Sequence, residues 1–228
     1  MGKYWFNKLG GKVAQLQLPL DFERPEILGI EGSSMKIVLD EDRKAALRMF
    51  QKENNLTLFQ NFLVMVKALL FRVSGQTELV VGTTVALRNH PQLDDQIGIL
   101  INYLVLRDYL DPSQSLDKFA ASVQQTLLEG IENDLFPFPL LLDSIDYDKE
   151  PGRHPIFSVL VLERINEDKI IGMDGLEIEW YPNLPPKSRY DLGFLIQEEE
   201  GGIEIEIHYK KTLFEAATIE ALLHWIEA

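Results

Sequence analysis

The segment that decides the fold is the run IGILINYLVLR, which occupies residues 97–107. Its aliphatic and β-branched residues continue almost without interruption to Leu106, a pattern typical of a strand that is buried on both faces. The amide of Asn102 breaks this run, and a buried amide without hydrogen-bond partners costs about 1–3 kcal/mol. We therefore predict a core strand over residues 97–106 in which the side chain of Asn102 must find partners.

The sequence on either side supplies a second strand of this kind and several amphipathic helices. Glu78 to Ala86 is a continuous β-branched run, and the helix before it begins at the N-cap residue Thr57. Strands mixed with packed helices predict an α/β (mixed α+β) domain, in which helices flank a mixed β-sheet. The predicted helices span 41–53, 57–73, 115–131 and 215–227, and the remaining strands span 35–39, 156–162, 176–181, 190–196 and 203–209.

The beginning of the chain lacks this regularity. Residues 4–10 form a short amphipathic piece that ends at a glycine, and residues 15–34 contain prolines and glycines with little periodicity. We predict an extended connector over residues 15–34, so that an N-terminal segment of residues 1–34 precedes one compact unit over residues 35–228.

Composition and charge exclude several classes of protein. The 228 residues carry a formal net charge of −14, which repels phosphate backbones and therefore disfavours nucleic-acid binding. Cysteine is absent, so disulfides and thiolate metal sites are excluded. The apolar runs are too short to span a bilayer and the N-terminus lacks a secretion-signal pattern, so we expect a cytoplasmic protein with no membrane partner.

The histidines offer neither a metal site nor an acid–base pair. His90, His154, His208 and His224 do not match the spacing of metal ligands. The sequence also lacks a G-x-S-x-G nucleophile elbow and a phosphate-binding glycine loop. Composition and spacing alone indicate an α/β domain without a catalytic motif, and they leave open a serine triad that assembles in space.

Seven segments, in the same order, resemble the motifs of condensation domains from nonribosomal peptide synthetases. The run at 97–107 is similar to the family's IGxFVNTLPLR motif, with Tyr103 where threonine is common. Residues 133–139 loosely match (H/N)QDYPFE, with Pro139 in place of the glutamate. Residues 149–157 are similar to RDxSRNPLF, with His154 in place of the asparagine. The other similar segments are 4–25, 57–86, 189–192, which resembles KFDL, and 209–214, which resembles YNTDLF.

The resemblance implies a V-shaped pair of chloramphenicol-acetyltransferase-like lobes, of which this chain corresponds to the second. Residues 1–34 would then be the interlobe linker, and residues 35–228 the C-terminal lobe. The family's HHxxxDG motif lies in the first lobe, and no His-His pair occurs in this sequence. We therefore expect no catalytic residue in this chain and no activity from the chain alone.

The intact family domain joins a carrier-bound acyl or peptidyl thioester to the amine of a carrier-bound aminoacyl group, which forms an amide. The resemblance implies that the chain binds no cofactor or metal directly and meets phosphopantetheine on carrier domains. Its implied partners are the N-terminal lobe, the peptidyl and aminoacyl carrier domains and a neighbouring adenylation domain. Two other functions stay open, namely a noncatalytic condensation-like interaction module, and part of an epimerisation or heterocyclisation domain.

Five residues stand out as candidates for site or motif roles. By resemblance, Asn102 and Tyr103 lie near the substrate tunnel, although for Asn102 a structural role in satisfying backbone groups at a strand end is favoured. Arg107 and Arg153 are expected to tie loops to carboxylates by bidentate pairs. Asp191 is expected to make a contact at a strand edge or turn.

Overall fold

The structure is a computed structural model that describes residues 1–27, 29–88, 90–93, 95–147, 149–164, 175, 187–199 and 202–227. Helices and strands are mixed along the chain. The helices are α1 (Gly2–Lys8), α2 (Glu41–Glu53), α3 (Leu58–Ser74), α4 (Leu116–Glu132), α5 (Phe138–Ser144) and α6 (Ala216–Glu227). The strands are β1 (Gly32–Val38), β2 (Glu78–Ala86), β3 (Ile101–Tyr109), β4 (Val159–Arg164), β5 (Leu192–Glu199) and β6 (Gly202–Lys210).

The six described strands form one sheet in the order β1-β6-β5-β4-β2-β3. β4 runs parallel to both β2 and β5, while the other neighbouring strands are antiparallel. A mixed sheet flanked by helices confirms the predicted fold class. The strand predicted at 176–181 lies outside the described residues.

The ends of α3 follow from its sequence. The hydroxyl of Thr57 accepts a hydrogen bond from the backbone N–H of Gln60, and the Gln60 side chain accepts one from the N–H of Thr57. This reciprocal capping satisfies two backbone donors at the start of the helix. Gly75 ends the helix with φ of 69°, in the left-handed region that glycine adopts without a steric cost.

A buried ion pair joins α3 to the edge strand β3. Lys67 of α3 is fully buried, and its ammonium donates to the carbonyl of Leu106 (3.0 Å) and to the carboxylate of Asp108. Burial lowers the pKa of Lys67, and the charge of Asp108 opposes this shift. Asp108 also accepts a hydrogen bond of 2.6 Å from Thr126 of α4, so one carboxylate links three elements.

The strand predicted from Ile97 begins later than its apolar run. β3 starts at Ile101, and the side chains of Ile97 and Ile99 are 105% and 91% exposed. The prediction of a buried strand over 97–106 was therefore wrong for its first four residues. An apolar run indicates which side chains would be stabilised by burial, but it does not indicate whether this chain supplies the surface that buries them.

The strand predicted from Ile156 also begins later, at Val159. Ile156 has φ of 67°, and the N–H of Phe157 donates to the carbonyl of Pro155 at 2.8 Å. This is a γ-turn of the strained kind, which is rare for a β-branched residue. The turn, and not a strand, therefore carries the apolar residues 156 and 157.

The first 31 residues pack onto the rest of the domain. Trp5, Leu9, Val13 and Leu16 are each at most 3% exposed. The indole N–H of Trp5 also donates to the carbonyl of Asn133 at 2.9 Å. Residues 9–27 and 29–31 form no regular helix or strand, and four apolar side chains among them, at residues 9, 13, 16 and 18, belong to the same hydrophobic core as the sheet. The division of the chain at residue 34 stays a prediction.

Among the described residues, no single helix is long and apolar enough to cross a membrane. Taken together, α2 and α3 reach that length and apolarity, with a bend of 105° between them.

Candidate functional site

Asn102 lies on β3 beside the turn that joins α4 to α5. Its amide nitrogen donates to the carbonyls of Asp134 (2.7 Å) and Phe136 (2.8 Å). Its amide oxygen accepts from the N–H of Phe138 at 3.1 Å. These bonds occupy both the donor and the acceptor side of the amide, so Asn102 holds this turn in place. A position at a substrate tunnel stays a prediction for this residue.

Tyr103 points to the other face of the sheet, because successive side chains of a strand alternate. Its half-buried ring lies 5.4 Å from the ring of Phe138 and 6.2 Å from that of Phe157, between centroids. The two residues predicted at the tunnel therefore face different sides. Tyr103 belongs to an aromatic cluster that consists of Tyr103, Phe138, His154, Phe157 and Tyr190.

Burial in the aromatic cluster disfavours the charged forms of two of its side chains, His154 and Tyr190. His154 lies 4.7 Å from both Phe157 and Tyr190, between ring centroids, and burial lowers its pKa. Burial also raises the pKa of Tyr190, and a hydrogen bond with Tyr103 acts in the same direction. The cluster is therefore largely apolar and mostly buried, and it is suited to packing more than to proton transfer.

The aromatic cluster rests on a position of β2 where only glycine fits. A Cβ atom on Gly82 would overlap the ring of Phe157. Phe157 is placed there by the strained turn at Ile156, and a non-glycine residue in such a conformation costs about 1–3 kcal/mol. The surrounding packing must therefore hold the turn in place, which makes the position of the Phe157 ring well defined.

Arg107 on β3 and Arg153 in the loop before β4 both bind the first residues of the chain. The guanidinium of Arg107 lies 2.8 Å from the carboxylate of Glu78 and donates to the carbonyl of Gly10 at 3.0 Å. The guanidinium of Arg153 donates to the carbonyl of Leu16 at 3.1 Å, and its Nε lies 2.8 Å from the glutamate carboxylate at residue 150. Each arginine thus combines a carboxylate with a backbone carbonyl, where the sequence suggested a bidentate carboxylate pair.

Asp191 forms the bidentate pair instead. Arg24 donates to both carboxylate oxygens, at 2.9 and 2.5 Å, and also to the carbonyl of Gly152 at 3.1 Å. Asp191 is 1% exposed, so the pair is shielded from water. Lys210 lies nearby, and burial lowers its pKa while the charge of Asp191 opposes this shift. Sequence reasoning missed Arg24 as the partner, because nothing in the spacing relates it to a residue so distant in the chain.

The loop between β2 and β3, residues 87–100, carries apolar side chains into solvent. Ile97 and Ile99 are almost fully exposed, and Ile101 at the start of β3 is 56% exposed. Arg88 donates to the carbonyls of Leu93, Gln96 and Gly98, so the described part of the loop has a defined shape. Exposed apolar residues that lie together on a protein surface often mark an interaction site, so these three isoleucines make the loop a candidate contact surface.

The part of the chain that the structure describes contains no group of three or more histidine, aspartate or glutamate side chains placed to hold a metal ion. Its site features are therefore the aromatic cluster, the arginine anchors of the first 31 residues and the apolar loop.

The sequence profile of the condensation domain family matches residues 2–228. The chain belongs to the condensation domain family. This condensation-domain chain is 31% identical over 219 residues to tyrocidine synthase 3 of Brevibacillus parabrevis, and 32% identical over 220 residues to bacitracin synthase 3 of Bacillus licheniformis. Each alignment covers 96% of this chain but 3% of the relative. The family predicted from the seven motifs is thus confirmed.

Solved structures show the same fold. The X-domain from teicoplanin biosynthesis superposes with a TM-score of 0.89 at 24% identity, covering 99% of this chain and 53% of that one. A four-domain nonribosomal peptide synthetase bound to AMP and glycine gives a TM-score of 0.86 at 22% identity, with coverage of 99% and 18%. The epimerization domain from the third module of tyrocidine synthetase B gives 0.69 at 14% identity, with coverage of 98% and 52%. These likenesses confirm the predicted chloramphenicol-acetyltransferase-like lobe.

Proposed function

We propose that this chain forms one half of a condensation domain and supplies one wall of the tunnel in which a carrier-bound amine attacks a carrier-bound thioester. The observation that carries the proposal is the family match. It extends over residues 2–228 of this chain, yet this chain covers only 53% of the X-domain structure. The complementary half would bring the HHxxxDG motif, since this sequence has no His-His pair.

The proposed reaction forms one amide bond. The amine nitrogen bonds to the carbonyl carbon of the thioester, the carbon–sulfur bond breaks, and the amine proton passes to the departing thiolate. The second histidine of HHxxxDG would orient or deprotonate the amine, and holding two tethered substrates together would lower the barrier further. Phosphopantetheine would be carried by the carrier domains, and this chain would contribute tunnel shape and exclusion of water.

The apolar loop is the surface that we assign to contact with the other half. Ile97 and Ile99 lie on a loop whose backbone Arg88 holds in shape, so little conformational entropy remains to be lost when a partner covers them. Each isoleucine would contribute about 1.5–3 kcal/mol when it is fully buried. The loop therefore has the apolar character expected of the centre of an interlobe interface.

The experiment reconstitutes the domain from two polypeptides. The purified chain is mixed with an HHxxxDG lobe from a relative such as tyrocidine synthase 3 and with two loaded carrier domains, and amide formation is followed by mass spectrometry. We expect product from the mixture and none from the chain alone. The double variant Ile97→Asp/Ile99→Asp should abolish association, whereas Met49→Asp, at a residue of α2 that is 60% exposed, should not. Turnover by the chain alone would contradict the proposal.

A second candidate function is a noncatalytic interaction module. The X-domain of teicoplanin biosynthesis, which superposes on 99% of this chain, has also been solved in a complex with OxyB. If the reconstituted halves associate but form no amide with any pair of loaded carriers, this function is favoured. An epimerisation or heterocyclisation domain would instead show racemised or cyclised product in the same assay. We propose a cytoplasmic location for the chain, beside the adenylation and carrier domains of a peptide synthetase.

A further inference from the structure

An open groove with a volume of about 690 Å³ lies between α2, α3 and α6. This volume is within the range of ligand pockets, which is roughly 300–1,000 Å³. Trp225 of α6 forms part of the wall and is 44% exposed, although tryptophan is a residue that folding normally covers. The other apolar side chains that line the groove include Leu47, Phe50, Val64, Met65 and Leu69.

One positive charge at the rim of the groove lacks a carboxylate. The guanidinium of Arg72 lies 5.5 Å from the ring centroid of Trp225, and none of the carboxylates that the structure describes lies within ion-pair distance of it. Arg43, the second arginine of the rim, is already bonded to Asp40 and, at 2.8 Å, to the carbonyl of Glu227. Arg72 is therefore the cation that remains available to a ligand in this groove.

We propose that this groove binds a small amphipathic carboxylate, such as a medium-chain fatty acid, with its carboxylate on Arg72 and its hydrocarbon chain between the helices. Two properties of the groove favour this class of ligand. Its walls are mainly apolar, so each methylene that they cover raises affinity by about fourfold. Its single unpaired guanidinium, at Arg72, can pair with one negative charge. Asp42 and Glu227 also line the groove, the first next to Arg43 in the chain and the second bonded to Arg43 through its carbonyl, so the anionic head has to lie at Arg72 and not beside Arg43.

The proposal is independent of the proposed function. None of the residues that line the groove belongs to the aromatic cluster, to the arginine anchors or to the apolar loop. Failure of amide formation in the reconstituted domain would therefore leave the groove untouched, and failure of carboxylate binding would leave the assignment to the family untouched.

The test compares decanoate with decanol by isothermal titration calorimetry on the 228-residue chain, below the concentration at which decanoate forms micelles. The two probes share a hydrocarbon chain and differ in the charge of the head. We expect saturable binding of decanoate, with decanol weaker by about tenfold or more, because a hydrogen bond to a charged group is stronger than one to a neutral group.

Variants then assign the contacts. Arg72→Met should weaken decanoate by about tenfold or more and leave decanol unchanged, since the apolar stem is kept. Arg48→Met makes the same chemical change on α2, outside the lining of the groove, and should change neither probe. Ala68→Phe fills the groove and should remove the binding of both probes, with thermal unfolding used to show that each variant is folded.

Three results would overturn the proposal. One is the absence of saturable binding of decanoate to the unmodified chain. The second is equal affinity for decanoate and decanol, which would remove the role of the charge. The third is a folded Arg72→Met variant that binds decanoate as tightly as the unmodified chain.

Discussion

The described parts of the first 31 residues and of the loop at 87–100 are both largely irregular in backbone, apart from α1 and one short 3₁₀ turn, yet they differ in what surrounds them. In the first region, Trp5 and Leu9 are at most 2% exposed, and arginines from elsewhere in the chain bind its backbone carbonyls. In the second region, Arg88 binds carbonyls within the same loop, and Ile97 and Ile99 remain almost fully exposed. Both have defined shapes, but only the first has its apolar side chains covered.

This difference separates two causes of order in irregular segments. Hydrogen bonds from arginine to backbone carbonyls fix a segment whether or not its side chains are buried, because each bond satisfies a polar group. Burial of apolar side chains requires an opposing surface, which the described part of this chain provides for Leu9 and not for Ile99. We interpret the anchored segment as part of the domain core and the loop as a surface awaiting a partner.

The largest expected effect concerns the anchored segment. In Arg24→Met, the carboxylate of Asp191 would lose its bidentate partner while it remains 1% exposed. Breaking a buried pair in this way costs about 3–5 kcal/mol. Because the charge of Lys210 still interacts with Asp191, we expect the unfolding free energy to fall by about 3 kcal/mol, the lower end of this range. Urea denaturation measures this loss.

The matched control for Arg24→Met is Arg48→Met, which removes an ion pair with Glu198 between side chains that are 40% and 52% exposed. It should cost less than about 1 kcal/mol, because exposed ion pairs are screened by water. Equal losses in the two variants would mean that the Arg24 anchor adds nothing beyond a surface contact, and the comparison between the two regions would fail.

The next effect concerns the apolar loop. We expect the isolated chain to self-associate more strongly as salt increases, because salt screens the repulsion between copies that each carry a net charge of −14. Static light scattering across a salt series measures this association. Ile99→Asp should weaken association by about tenfold or more and change the unfolding free energy by less than about 0.5 kcal/mol, because the residue is 91% exposed.

Met49→Asp is the control for the loop variant, since it places the same charge at an exposed apolar position of α2. A chain that stays monomeric at every salt concentration would contradict the interpretation of the loop as an uncovered surface.

The smallest effect is a pH dependence that originates in the aromatic cluster. The pKa of His154 is lowered in the folded protein by burial, from an ordinary value of 6.5; the charge of Lys210 acts in the same direction and that of Asp191 against it. Below pH 6.5 the unfolded chain therefore binds a proton that the folded chain does not, so the unfolding free energy falls as the pH decreases.

His154→Asn should flatten the dependence of the unfolding free energy on pH in this range. One histidine contributes a slope of at most about 1.4 kcal/mol per pH unit. His90→Asn, at an exposed position, should leave it unchanged. Chemical denaturation at a series of pH values is the measurement, and an unchanged slope in His154→Asn would show that His154 does not contribute.

Elements whose signals are local could be predicted from the sequence. The N-cap residue Thr57 was predicted to begin the helix before β2, and the structure confirms it as the N-cap of α3. The predicted starts of β3 and β4 were wrong. An apolar run does not reveal that no described surface covers Ile99, or that Ile156 has a positive φ.

The candidate site was predictable only in part, because its contacts join residues that are far apart in the chain. The polar break at Asn102 did predict a residue that must find backbone partners, and it bonds to three groups in the turn before α5. The pair between Arg24 and Asp191 has no spacing that a sequence pattern could display. The aromatic cluster likewise draws on four separate segments of the chain.

The pairing of β1 with β6 has a consequence for how the protein is made. Gly32 of β1 lies opposite Lys210 of β6 in the strand register, so β1 emerges from the ribosome long before its partner strand exists. At ordinary rates of translation the delay is on the order of 10–30 s. During that time the edge of β1 is unpaired and open to chaperones or to other nascent chains. Completion of the sheet is therefore expected to follow synthesis of β6, and slowing translation near residue 200 should increase aggregation more than slowing it near residue 110.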